Sequence, residues 1–117
     1  MNCHVSPDGK KVCDDNQKAI CFDAMLAESE LPVLVDFYAT WCGPCQMMAK
    51  ILTQVQSQLQ TKLQVVKIDT DKYPNLASQH QIHALPTLVL FKQGRVIDRI
   101  EGVLSAEQLV QRLGPLL

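Results

Sequence analysis

The sequence predicts an α/β fold, a central mixed β-sheet with helices on both faces. Short apolar, β-branched runs at residues 33–37 and 63–68 alternate with stretches of helical periodicity. That alternation is the pattern of parallel strands joined by crossover helices. Two more strands, 87–91 and 96–100, flank Gln93-Gly94, which reads as a tight hairpin and adds an antiparallel edge. The composition agrees: 117 residues, 47% apolar and 20% charged, fit one domain with a buried core.

The elements follow in order. Residues 1–13 form an N-terminal extension with a turn-like Ser6-Pro7-Asp8-Gly9 and no periodic apolar pattern. Residues 17–20 read as a first strand, with Cys21 or Asp23 opening a helix to Ser29; the alternative is a helix that already starts at Asp14 or Asp15. Val33, Leu34, Val35 and Phe37 form a strand buried on both faces, interrupted only by Asp36. From Pro44 to Gln60, apolar residues at Met48, Ile51, Leu52, Val55 and Leu59 have the spacing of a helix with one buried face, and Pro44 suits its first turn. A short helix is expected over 71–80. Ser105 and Gln108 match a capping box for a last helix with the stripe Leu109, Val110 and Leu113, stopped by Gly114-Pro115. The predicted order is β-α-β-α-β-α-β-β-α, with residues 14–117 as the folded domain.

Several function classes are disfavoured. A net charge of −1 gives no electrostatic case for nucleic acid or an anionic membrane. The runs 31–37 and 87–91 are too short to span a bilayer. The N-terminus lacks the basic-then-apolar build of a secretory signal, so the expectation is a cytoplasmic protein, or a plastid stromal one if a leader was removed. Five cysteines is an odd number, which argues against a stapled secreted domain.

The chemistry centres on Trp41-Cys42-Gly43-Pro44-Cys45. Such a pair can hold a metal, lock as a structural disulfide or cycle between dithiol and disulfide. A zinc site needs four ligands, and no second C-x-x-C follows. The pair instead falls between a buried strand and a helix start, where free N–H groups and a partial positive charge stabilise a thiolate. Cys42 is thus read as the exposed nucleophile and Cys45 as the shielded resolving thiol. Cys3, Cys13 and Cys21 are read chiefly as free thiols, Cys21 as a small buried hydrophobe. A Cys3–Cys13 bridge, or a zinc set completed by His4, is the alternative.

Three segments, V-L-V-D-F-Y-A-T-W-C-G-P-C-Q, V-V-K-I-D and I-H-A-L-P-T-L-V-L-F-K-Q-G, resemble the thioredoxin family in order and spacing. Their wording is most similar to the y-type members of plastids and cyanobacteria. The resemblance implies the thioredoxin fold and an enzyme that reduces protein disulfides through the Cys42/Cys45 couple. It needs no cofactor or metal, and it works as a monomer. It implies reduction by a ferredoxin- or NADPH-dependent thioredoxin reductase and targets such as peroxiredoxins.

Residue by residue, the resemblance implies that Cys42 attacks and Cys45 resolves the mixed disulfide. It implies proton exchange between Asp36 and Cys45, with Lys67 tuning Asp36. The alternatives are a satisfied structural carboxylate at Asp36 and a solvated strand-end lysine at Lys67. Trp41, Gly43, Pro44 and Gly102 would belong to the substrate-binding surface, Trp41 packing beside the pair and Gly102 keeping the surface flat for docking. A cis Pro86 would present backbone groups of Leu85 and Thr87 to an extended target segment. Gly94 also fits the family pattern. Tyr38 stands where many members carry Trp, and Lys50 where many carry a helix-kinking Pro. His83, three residues before Pro86, is read chiefly as a solvated loop histidine; the alternative places it near the active surface, where it would add pH dependence or partner selectivity.

Gly-Pro between the cysteines resembles the reducing members. Thioredoxin lies at about −270 mV against about −180 mV for protein disulfide isomerase, a gap of about 4 kcal/mol for two electrons. The Cys42/Cys45 couple is therefore expected to titrate near the thioredoxin value in dithiothreitol redox buffers, read by alkylation and intact mass. A midpoint near the isomerase value would remove the donor role.

Overall fold

The computed structural model describes residues 4–5, 11–12 and 15–117, with side chains from Cys21 onward. Two short strands, β1 (His4–Val5) and β2 (Lys11–Val12), pair antiparallel. Helix α1 then spans Asp15–Glu28, so the expected strand at 17–20 is not there, and the alternative start near Asp15 is the right one. Gln, Lys and Ala favour helix. Phe22 and Leu26, four apart, are both buried, which is the helical period and not the strand one.

The main sheet has four strands in the order β4-β3-β5-β6. They are β3 (Val33–Tyr38), β4 (Gln64–Asp69), β5 (Thr87–Lys92) and β6 (Arg95–Glu101). β3 pairs parallel with β4 and antiparallel with β5, and β5 pairs antiparallel with β6. The parallel pair is joined by α2 (Gly43–Leu59), and α3 (Pro74–Gln79) leads from β4 to β5. The helix expected over 71–80 is shorter because Pro74 takes its first position and disfavours helix in the residue before it. Asp69 Oδ1 instead accepts from the N–H of Asp71 at 2.9 Å, holding 69–72 as a turn.

Alternation along β3 sorts the core into two layers. Leu34 packs with Leu88 and Leu90 against Met48, Leu52 and Val55 of α2 and Leu109 and Leu113 of α4 (Ala106–Leu113). Val33, Val35 and Phe37 pack with Val89 and Phe91 against Phe22 and Leu26 of α1 and Leu76 of α3. Asp36 therefore lies on the α2 side. Gln93 and Gly94 both have positive φ, 54° and 81°, the backbone of a two-residue hairpin turn that matches the strand twist.

The α4 capping box is formed on both sides. Ser105 Oγ accepts from the Gln108 N–H at 3.1 Å, and Gln108 Oε1 accepts from the Ser105 N–H at 3.0 Å. α4 ends at Leu113, and Gly114–Leu116 continues as one 3₁₀ turn. Replacing Ser105 by Ala removes one cap acceptor and is expected to destabilise the protein by about 1 kcal/mol in urea unfolding, with the m-value unchanged.

Candidate active site

The pair sits where β3 gives way to α2. The Cys42 N–H donates to the Ala39 carbonyl at 3.2 Å, closing the turn out of the strand. Cys42 is then the N-cap of α2, with Gly43, Pro44 and Cys45 forming its first turn. Cys42 and Cys45 are disulfide-bonded, with Cα atoms 5.2 Å apart. The Cys45 N–H, one of the free donors of the helix start, points at Cys42 Sγ at 3.2 Å.

Both cysteines are shielded: Cys42 is 5% and Cys45 3% exposed. The expectation of an exposed Cys42 is corrected here, because Ala39, Tyr38 and Leu85 pack around the pair. The two differ in what they face. Cys42 lines an open groove of about 440 Å³, and Cys45 does not. Trp41, Gly43, Pro44, Thr70, Ile82, His83 and Leu85 line the rest of it. Trp41 is 71% exposed, and its indole N–H donates to Asp71 Oδ2 at 2.8 Å, which fixes the ring beside the groove.

The Leu85–Pro86 bond is cis. The Pro86 carbonyl accepts from the Gly102 N–H at 2.9 Å. Gly102 has φ +89°, a backbone that side-chain-bearing residues rarely adopt. Thr87 is fully buried, and its hydroxyl donates to the Ala84 carbonyl at 2.6 Å. Of the residues flanking the cis bond, then, Leu85 faces the groove while Pro86 and Thr87 are turned into the fold.

Asp36 is fully buried, and neither carboxylate oxygen has a hydrogen-bond partner among the described residues. Desolvation pushes its pKa up from an ordinary 3.8 to about 6, opposed by the positive charge of Lys67. Lys67 stands opposite Asp36 in the β3–β4 register. Its ammonium lies 5.1 Å from the centre of the Tyr38 ring, and the residue is exposed.

Thr70, Asp71 and Ile82 were not singled out in the sequence. Thr70 and Asp71 follow the carboxyl end of β4, the end at which crevices of open α/β sheets form. That rule would have found them; Ile82, an isolated apolar loop residue, carries no comparable signal. Lys50 is exposed on an unbroken 17-residue α2.

Cys21 is half-buried and disulfide-bonded, so its reading as a free thiol does not hold. Cys3 and Cys13, and with them the Cys3–Cys13 bridge and the zinc set, lie outside the described residues. Among the described residues no three His, Cys, Asp or Glu side chains cluster as metal ligands. No described helix is long and apolar enough to cross a membrane.

A C-x-x-C disulfide at a helix N-terminus, beside a cis-proline and an open groove, defines a thiol–disulfide oxidoreductase. Comparison with known proteins agrees. The thioredoxin family model matches residues 11–114. A thioredoxin-like protein of Synechocystis sp. is 68% identical over 92 residues, covering 79% of this chain and 88% of that one. Chloroplastic thioredoxin Y1 of Arabidopsis thaliana is 58% identical over 92 residues, 79% of this chain, which spans only 54% of that relative. The solved structure of chloroplastic thioredoxin z superimposes with a TM-score of 0.75 at 35% identity, over 83% of this chain and 88% of that one. Oxidized mitochondrial thioredoxin 3 of Saccharomyces cerevisiae gives 0.73 at 33%, over 82% and 88%. The chain belongs to the thioredoxin family, and it is a thiol–disulfide oxidoreductase that reduces protein disulfides.

Because burial raises the Asp36 pKa, the folded state holds its proton more tightly than the unfolded chain does. The resulting stability is present below about pH 4 and is lost as pH rises to about 6. Relative to Asp36→Ala, the wild type is expected to lose up to about 3 kcal/mol between pH 4 and 7. Urea unfolding of both proteins across that range checks it; parallel pH profiles would show that Asp36 ionises normally.

Proposed function

We propose that Cys42 is the attacking thiol and Cys45 the resolving one. The observation that carries this is the groove, which is open to Cys42 and closed to Cys45. The Cys42 thiolate attacks one sulfur of a target disulfide, forming a mixed disulfide and releasing the first target thiolate. The Cys45 thiolate then attacks Cys42 Sγ, closing the Cys42–Cys45 disulfide and releasing the second. Two electrons pass from the dithiol to the target. The Cys45 N–H directed at Cys42 Sγ supports stabilisation of the attacking thiolate.

Asp36 takes the proton from the Cys45 thiol as it attacks. It lies on the α2 face of β3, one strand repeat beyond Leu34 toward the end where α2 begins, and its pKa of about 6 suits a base near neutral pH. Lys67 sets how far that pKa rises. Trp41, Gly43, Pro44 and Leu85, joined by Thr70, Ile82 and His83, bind the target segment around the scissile disulfide. Pro86, Thr87 and Gly102 hold the groove's backbone in shape rather than contacting the target through side chains.

Targets are disulfide proteins of the peroxiredoxin kind, and the electron donor is a thioredoxin reductase driven by ferredoxin or NADPH. The working compartment is a reducing one, and the chloroplastic relatives support the plastid stroma over the cytoplasm. The protein acts as a monomer. Residues 14–117 are its catalytic domain and 1–13 an appendage; the family match over residues 11–114 supports the domain and begins three residues before that boundary.

The assignment of roles is tested by trapping. Cys45→Ser, reduced and mixed with an oxidised peroxiredoxin, is expected to accumulate a mixed disulfide through Cys42, seen by non-reducing electrophoresis and peptide mass. Cys42→Ser is expected to trap nothing and to lose at least about a thousandfold in disulfide-reduction rate. Trapping by Cys42→Ser in place of Cys45→Ser would reverse the roles.

A further inference from the structure

The loop that forms one wall of the groove starts at the end of α3, and its backbone there is unusual. The Ile82 N–H donates to the Ala77 carbonyl at 3.0 Å and the Gln81 N–H to the Ser78 carbonyl at 3.0 Å. This is the paired pattern of a helix terminated by one left-handed residue. Glycine usually fills that position; here it is Gln81, with φ +55°. A side-chain-bearing residue there is strained unless its surroundings hold it. Ile82, His83 and Leu85, all groove-lining, follow within four residues.

What holds it is Arg99, from the middle of β6. Its Nη1 donates to the His80 carbonyl at 2.7 Å, and its Nη2 donates to the Gln81 carbonyl. The planar fork matches two successive carbonyls at a helix C-terminus, where a cation is favoured. The acid beside it is already committed: Asp98 takes Arg112 at 2.7 and 2.9 Å. Arg112 Nη2 also donates to the Arg99 carbonyl at 3.3 Å, tying β6 to α4. Glu101 Oε1 lies 3.5 Å from Arg99 Nε. From the other side the His80 ring packs against Phe22, Phe37 and Phe91 at 5.6, 5.6 and 5.7 Å. The loop's first residue is thus anchored by its side chain in the core and by its carbonyl on Arg99.

We propose that Arg99 is a positioning residue for target recognition: its two hydrogen bonds set the left-handed start of the 82–85 loop and so the shape of the groove wall beside Cys42. The inference rests on the reading of that groove as the target-binding surface. Arg99 touches neither cysteine's chemistry, so its loss should weaken capture of protein targets and leave the redox couple alone.

The test uses the full-length protein with two probes, insulin as a protein disulfide and 5,5′-dithiobis(2-nitrobenzoate) as a small one. Arg99→Met is expected to raise KM for insulin by about three- to tenfold, with kcat, the small-disulfide rate and the midpoint potential unchanged. Arg99→Lys, which keeps the charge but not the fork, should fall between. Gln81→Gly, added to Arg99→Met, is expected to restore part of the KM, since glycine adopts the left-handed backbone unaided. That rescue separates loop positioning from a lost attraction between charges. An unchanged KM, a parallel fall in both probes, or no rescue by Gln81→Gly overturns the proposal. Should Arg99→Met not fold, Arg99→Lys carries the comparison, and an unchanged KM there overturns it equally. Ile82→Asp checks the premise. If it leaves KM for insulin unchanged, the groove reading fails and this inference with it. If it raises KM while Arg99→Met does not, only the role of Arg99 fails.

Discussion

Strand β3 is the element on which the rest hangs. It hydrogen-bonds to β4 on one side and β5 on the other, and residues 33–37 are buried. Its register cannot slip by one residue without exchanging the two core layers and moving Asp36 to the opposite face. The fixed register has a direct consequence at its far end. Tyr38 stands opposite Asp69, and Phe37 opposite Thr87. The turn into α2, the segment after β4 and the cis bond before β5 are thereby gathered at one edge, and the Thr70 N–H donates to the Tyr38 carbonyl at 2.9 Å. Groove and cysteine pair are products of strand pairing before they are products of any side chain.

That same strand carries a fully buried carboxyl group, Asp36. A carboxylate with no hydrogen-bond partner in a fully apolar layer opposes folding once ionised. Leucine or valine at position 36 would extend the core without that penalty. Asp36 instead puts a carboxyl group on the face of β3 that packs against α2, and its burial raises the pKa to about 6. Lys67 moderates the penalty from the exposed rim without removing it.

The loop opposite the cysteines depends on a different economy. It begins with a strained residue, Gln81, and contains a cis peptide bond, yet its start is tied down by Arg99 and the ring of His80. Its far side is closed by the Gly102–Pro86 hydrogen bond. Such ties leave less ordering to be done should another chain bind there, as proposed above. The exposed indole of Trp41, also lining the groove, is held in the same way by Asp71.

Much of this was legible in the sequence because it is local. A β-branched apolar run, three/four spacing in α2, a capping box, a hairpin glycine and a C-x-x-C before a helix each express a period or a backbone preference over a few residues. Helix α1 was misplaced because 17–20 offers no strong period, and helix formers there weigh little until Phe22 and Leu26 find the core. Asp36 announced itself as a charge in a buried strand, but its lack of any partner is a property of the packed layer. The shielding of Cys42, the groove walls at Thr70 and Ile82, and the reach of Arg99 to two carbonyls eighteen and nineteen residues away were decided only by tertiary structure. They join segments distant along the chain, and no local preference encodes which of these will meet once the sheet has closed.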